Sequence, residues 1–265
     1  MTGTAQQLPS PGEAATGSQC CSDFYEQDWV RFLAEDSFHP GGSSLTHRTI
    51  KGMRLSSGAS VLDLGCGTGT TTRTLAEQFD YAATGLDRSE HNIALARTLG
   101  RQHQTSFVRG DAYDLPFADA SFNGVITECV LSLLIDKAAA LTELRRILKP
   151  GGSIGITDMS VHGTLPDEFA REIAPWTCLE AAPNGKEYEK LFRMAGFELV
   201  ETANESEALR DMVRRLKRRL LLAGAGGLAT GRIPFDLATI KHWLDRFEAV
   251  VNDDLIRYLR FQLRF

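Results

Sequence analysis

Between residues 58 and 202 the chain alternates short aliphatic runs with longer amphipathic ones. Segments 60–64, 82–86, 105–109, 124–127 and 153–157 are short, apolar and bounded by turn residues, as buried strands are. Segments 71–78, 92–99 and 137–148 read as the helices between them. In the last of these, Ala140, Leu141, Leu144 and Leu148 fall on one face, and Lys149-Pro150-Gly151-Gly152 stops the helix. Strands alternating with helices imply parallel βαβ units, so the expected class is α/β: a Rossmann-like sheet with helices on both faces. A ligand then belongs beyond the carboxyl ends of the strands, where the strand order reverses.

The flanks follow other patterns. Residues 1–22 are rich in Gly, Ser, Thr, Ala and Pro and predict a disordered tail. Residues 23–57 predict a helical N-terminal lid, broken at His39-Pro40-Gly41-Gly42. Further on, 188–195 reads as a helix and 197–201 as a strand. In 203–265, Leu209, Met212, Val213, Leu216 and Leu220 share one helical face, and Leu237, Ile240, Trp243, Leu244, Phe247 and Val251 share another. The final residues 259–265 alternate as a strand does. The expectation is a helical C-terminal insert that caps the active site and delays the last sheet strand. The basic run 214–219 reads as the solvated face of one of its helices.

Composition narrows the partners. A net charge of −5 argues against nucleic acid. The chain has neither a basic start followed by an apolar run nor a stretch apolar for long enough to span a bilayer, so no signal peptide and no membrane contact are expected, and the cytoplasm is the expected location. Five cysteines, Cys20, Cys21, Cys66, Cys129 and Cys178, are odd in number and scattered, which suits thiols rather than a disulfide framework.

The most informative stretch is Val61-Leu62-Asp63-Leu64-Gly65-Cys66-Gly67-Thr68-Gly69, where a strand enters a glycine turn and a helix follows. Its spacing is Gly-x-Gly-x-Gly, not the Gly-x-Gly-x-x-Gly of dinucleotide sites, and suits a ligand without a pyrophosphate. Asp87 ends the second strand, where an acid can accept both hydroxyls of a ribose. Asp111-Ala112 follows the third, where a carboxylate can take an adenine amino group, with Leu115-Pro116-Phe117 and Ser121-Phe122 as apolar surroundings.

These stretches, with Gly85-Leu86-Asp87, Gly110-Asp111-Ala112 and Leu148-Lys149-Pro150-Gly151-Gly152, resemble class I methyltransferases dependent on S-adenosylmethionine (SAM), over roughly residues 59–158. The resemblance implies SAM as cofactor. It places Asp63, Gly65, Cys66, Gly67 and Gly69 near the methionine portion, Asp87 at the ribose, and Asp111 and Ala112 at the adenine.

For the methyl acceptor, the cysteines offer a lead. Cys129 follows the fourth strand and Cys178 the fifth, Cys20-Cys21 could fold over the same cleft, and thiolates suit soft metalloids. Cys129-Val130 before the Leu148–Gly152 stretch, and Cys178 before Ala195-Gly196-Phe197, resemble arsenite methyltransferases, with Glu128 standing where that family has Asn. That resemblance implies trivalent arsenic held by Cys129 and Cys178, with Cys20 or Cys21 as a third ligand and Glu128 orienting the substrate. Cys66 reads instead as a structural part of the glycine turn. His39 and His47 are candidate general bases or ordinary surface histidines. Two alternatives stay open: a small-molecule methyltransferase acting on a quinone carbon, hydroxyl or thiol, and a non-catalytic SAM-binding or metalloid-sensing module.

Overall fold

A computed structural model describes residues 39–99, 105–174, 177, 179, 181–225 and 237–265. Among these, strands β1 (Ser60–Leu64), β2 (Ala82–Asp87), β3 (Thr105–Arg109), β4 (Phe122–Glu128), β5 (Leu148–Val161), β6 (Glu198–Asn204) and β7 (Ile256–Arg264) form one sheet in the order β3-β2-β1-β4-β5-β7-β6. The first five are parallel, and β7 runs antiparallel to both β5 and β6. The order reverses between β1 and β4, which opens a crevice at their carboxyl ends. This is the Rossmann-like sheet the alternating pattern predicts.

Helices α1 (Gly42–Met53), α2 (Thr70–Phe79), α3 (Glu90–Leu99), α4 (Lys137–Ile147), α5 (Asp167–Glu172), α6 (Gly185–Met194), α7 (Ser206–Ala225) and α8 (Leu237–Asn252) cover the sheet, with a 3-10 turn at Leu131–Leu133. Asn184 and Glu187 cap α6 reciprocally, each side chain taking the other residue's backbone N–H, so the helix starts at Gly185, three residues before the expected one. The fifth strand begins earlier than its apolar run suggests. Leu148 pairs with Phe122, the register shifts, and pairing resumes at Ser153 with Gly124, so the Pro-Gly-Gly segment bulges within the strand.

The segment read as a lid contains α1, and α1 has two roles. Leu45, Thr49, Ile50 and Met53 are fully buried. The sheet is bare beneath it: a Cβ on Gly155 would lie 2.8 Å from Thr49 Cγ2. The amide of Gln262 in β7 donates to Thr49 O at 2.9 Å. Meanwhile Thr46 reaches the carboxyl end of β4, as described below. The C-terminal insert, α7 and α8, buries Leu209, Val250 and Val251 in a cluster with Met159, Phe169, Leu179 and Tyr258. In the basic run, Arg214 pairs with Glu207 and Asp211 on its own helix, and Lys217 with Asp245 and Glu248 of α8. No described helix is long and apolar enough to cross a membrane.

The core on the other side is aromatic. Phe261 of β7 lies 5.3 Å from Tyr188 and 5.2 Å from Phe192 of α6, centroid to centroid, and all three are fully buried. Phe261→Ala should therefore cost about 3–5 kcal/mol, read as a lower denaturant midpoint with an unchanged slope. A loss below about 1 kcal/mol would show that this cluster does not hold α6 on the sheet.

Candidate active site

A cavity of about 280 Å³ opens at the strand-order reversal. Its wall is made of Leu64 and the glycine loop Gly65–Thr68 with Thr70, the end of β2 from Leu86 to Ser89, Gly110–Tyr113 after β3, and Glu128–Val130 with Leu133 and Leu134 after β4. His39 and Asn92 complete it.

The loop is shaped by its neighbours. Gly65 has φ +75° and donates to Leu86 O at 2.7 Å; a Cβ there would fall 2.3 Å from Val130 Cγ2, so only glycine lets the loop and the post-β4 turn pass. Gly67, at φ +52°, would point a Cβ into open space and so presents bare backbone to the cavity. Its N–H donates to Asp87 Oδ2 at 2.8 Å, and Ser89 N–H donates to Oδ1 at 2.9 Å. A carboxylate offers about four acceptor sites in all. Gly69 caps α2 without a side-chain bond and lies outside the wall.

Asp111 and Ala112 are in the wall, and Asp111 Oδ1 accepts from Tyr113 N–H at 3.0 Å. The apolar residues expected around them turn away. Leu115 and Phe122 join the core, and Phe117 packs edge-on to Phe122 at 5.0 Å. The cavity's apolar wall comes instead from Val130, Leu133 and Leu134. The post-β3 loop is clamped from behind: Arg146 donates to the carbonyls of Leu115 and Phe117 and to Asp119 and Glu143, while Glu143 accepts from Leu115 N–H.

Two more acids are buried. Asp63 lies behind the loop rather than in the wall, 3% exposed, and accepts from Thr72 Oγ1 at 2.6 Å. Burial, with Glu128 and Asp87 adding, pushes its pKa up to about 7. Asp158, fully buried at β5, accepts from Ser132 N–H at 3.0 Å and Met159 N–H at 2.8 Å, and burial raises it to about 6. Asp158 thus pins the 3-10 turn that carries Leu133 into the wall. Cys66 lines the cavity, but burial, with Asp63 and Asp87 adding, pushes its thiol pKa far up, which suits the structural role expected of it.

Glu128 and Cys129 sit side by side at the end of β4. Glu128 Oε1 accepts from Thr46 Oγ1 at 2.9 Å and Oε2 from Thr71 Oγ1 at 2.7 Å, with His39 Nε2 at 3.6 Å. Cys129 has φ +56°, a conformation costing about 1–3 kcal/mol outside glycine, held by its N–H to Thr157 O at 2.8 Å. Its Sγ lies 3.3 Å from Tyr258 Oη, which itself donates to Thr157 Oγ1 at 2.9 Å, so the thiol is left to donate to the tyrosine. Cys20, Cys21 and Cys178 lie outside the described residues. Among those described, no three His, Cys, Asp or Glu side chains come together to hold a metal ion. Of the two histidines, His39 is in the wall, while His47 faces Gln78 and Ser43 O elsewhere. The sequence reading missed Thr46, Thr71, Arg146 and Asp158. Only Asp158, an acid closing a strand, carried a local signal.

Residues 55–196 match the family described as methyltransferase domain. This chain belongs to the methyltransferase-domain family. S-adenosylmethionine is the methyl donor that goes with it, and the cavity fits that donor through the bare Gly67 backbone and the carboxylates of Asp87 and Asp111. An O-methyltransferase, resE, of Aspergillus sclerotiorum is 32% identical over 225 residues, 80% of this chain and 83% of that protein. An arsenite methyltransferase of Aquipseudomonas alcaligenes is 30% identical over 194 residues, 68% of this chain and 56% of its own, so arsenic chemistry is not singled out. Phosphoethanolamine N-methyltransferase 2 of Haemonchus contortus, solved with S-adenosyl-L-methionine, shares the fold with a TM-score of 0.81 at 21% identity; the methyltransferase spans 61% of that chain with 97% of its own.

The buried acids set a pH dependence. An unfolded aspartate releases its proton near 3.8, whereas Asp63 and Asp158 hold theirs to about 7 and about 6. Between those values the unfolded chain binds fewer protons, so the ligand-free protein should lose stability as pH rises from about 4 to about 7 and regain it on acidification. Denaturation across that range should show a flatter profile in Asp63→Asn. A profile as steep as the parent's would remove Asp63 from the account.

Proposed function

We propose that the chain is a SAM-dependent methyltransferase whose acceptor is a hydroxyl of a small organic molecule. The supporting observation is a cavity with hydrogen-bonded carboxylates from several strand ends, an apolar wall, and one imidazole. In this reading Asp87 takes the ribose hydroxyls, Asp111 and Ala112 the adenine, and the Gly65–Gly67 backbone lies along the rest. When bound, the cofactor supplies a methyl group carried on a positive sulfur. The protein's part is to hold the acceptor in line and to exclude water. Val130, Leu133 and Leu134 suit both tasks.

A hydroxyl gives up its proton as it is methylated. An imidazole nitrogen can accept that proton, and His39 brings one to the wall. The O-methyltransferase relatives support an oxygen acceptor. Trivalent arsenic on Cys129, Cys178 and Cys20 or Cys21 is the competing acceptor, supported by Cys129 in the wall. A metalloid needs thiolates, however, and the Cys129 thiol is placed to donate to Tyr258. A quinone carbon or a free thiol would use the same apolar wall.

Asp87→Ala should weaken SAM binding by about 1.5–3 kcal/mol for each lost charge-assisted bond. Unchanged calorimetric affinity would reject the ribose assignment. Turnover of SAM should appear with phenolic or alcoholic acceptors and fall about a hundredfold or more in His39→Gln, with SAM affinity kept. If arsenite alone is methylated, and Cys129→Ser stops it, the oxygen reading is wrong and the thiol reading stands.

A further inference from the structure

Glu128 carries a charge that its protein neighbours leave poorly balanced. Its side chain is only 6% exposed, yet both hydrogen bonds it accepts come from neutral hydroxyls, Thr46 at 2.9 Å and Thr71 at 2.7 Å. Among the described residues, its one ion-pair contact is His39 Nε2 at 3.6 Å, beyond hydrogen-bonding range, and an imidazole is positive only when protonated. The surroundings are acidic: Asp87 and Asp111 share the cavity wall, and Asp63 lies just behind. Buried carboxylates are normally matched by a cation. Two helices far from β4 in the chain nevertheless orient this one, α1 through Thr46 and α2 through Thr71. A side chain held so carefully at the cavity wall, with no cation in hydrogen-bond contact among the described residues, is arranged for a positive ligand.

We infer that Glu128 is the anchor for the α-ammonium group of the cofactor's methionine portion. This rests on reading the cavity as the SAM site and names a contact within it. A metal ion is the poorer match, because no third ligand group joins Glu128 among the described residues. The carboxylate of the methionine portion is excluded by like charge. Thr71 belongs to the first turn of the helix that follows the glycine loop, so the anchor stands beside the loop that the proposed binding mode lays along the same portion of the cofactor. Thr46 and Thr71 act as positioning residues: their hydroxyls fix the carboxylate, and neither needs to touch the ligand.

The test is a double-mutant cycle in which the second change is made in the ligand. S-adenosylhomocysteine and its desamino analogue, which keeps the carboxylate and lacks only the amine, are titrated calorimetrically into the full-length parent and Glu128→Gln. Both proteins are first matched by ligand-free thermal unfolding. The parent should prefer the amine-bearing ligand, and Glu128→Gln should lose about tenfold or more in affinity for it. The two proteins should bind the desamino analogue within about twofold of each other. Thr71→Val, which keeps the carboxylate and removes one orienting hydroxyl, should show a smaller loss with the same dependence on the amine, and serves if Glu128→Gln does not fold. Unchanged affinity for S-adenosylhomocysteine would overturn the assignment. So would equal losses for both ligands, which would mark Glu128 as a structural residue only. A parent protein that binds neither ligand would instead overturn the cofactor reading on which the inference stands.

Discussion

Acids stand at or near the carboxyl ends of four adjacent parallel strands: Asp63 on β1, Asp87 on β2, Glu128 on β4 and Asp158 on β5. Placing carboxyl groups this close together, largely out of water, is costly unless each is hydrogen-bonded, protonated or matched by positive charge. Each has a different solution. Asp158 takes two backbone N–H groups near Lys137, and its raised pKa reflects burial that these bonds only partly offset. Asp63 takes the Thr72 hydroxyl, and its pKa rises to about 7. Asp87 takes the N–H groups of Gly67 and Ser89, which fixes the glycine loop against the end of β2. Glu128 takes two threonine hydroxyls, which draws α1 toward the cavity. The loop, the 3-10 turn and α1 are therefore positioned in part by the need to satisfy these groups.

This explains what was legible in the sequence. Asp87 and the glycine loop are close in sequence to the elements they complete, so local spacing exposes them. Their bonds join a strand end to the loop of the neighbouring strand, as any βαβ unit would. Thr46 is 82 positions from Glu128 and on a helix that precedes the whole sheet, so no spacing rule connects them. The same holds for Arg146. It reads as an ordinary surface position near the end of α4, yet it gathers two carbonyls and a carboxylate of another segment, besides Glu143 on its own helix. The apolar stretch at 115–117 misled in the opposite direction. Hydrophobic residues near a binding site can serve ligand or core equally, and here Leu115 and Phe117 serve the core.

The two ends of the chain differ from the middle for a related reason. Periodicity identified α7, α8 and the final strand, because each buries one clear face. It did not reveal that β7 would insert between β5 and β6 and so use α7 and α8 to cover the Phe169–Tyr258 cluster. Among the described residues, none from α7 or α8 lines the cavity. A helix face announces that it will be buried, but not against what.

The charge distribution also bears on catalysis. A carboxylate that binds a positive group equally before and during reaction lowers the free energy of both states and leaves the barrier unchanged. An ammonium keeps its charge throughout methyl transfer, so an anchor on it contributes uniform binding: its loss raises KM and spares kcat. A sulfonium loses its charge as the methyl departs, so a carboxylate against the sulfur would favour the starting state and oppose the reaction. In the proposed binding mode the cavity separates these cases. Its carboxylates are tied by hydrogen bonds to the loop, to α1 and α2, and to the post-β3 turn, while Leu64, Leu86, Val130, Leu133 and Leu134 supply apolar wall. Acids held at fixed places can attract a cationic cofactor without following the charge that must disappear. An apolar wall offers a departing positive charge nothing to hold it.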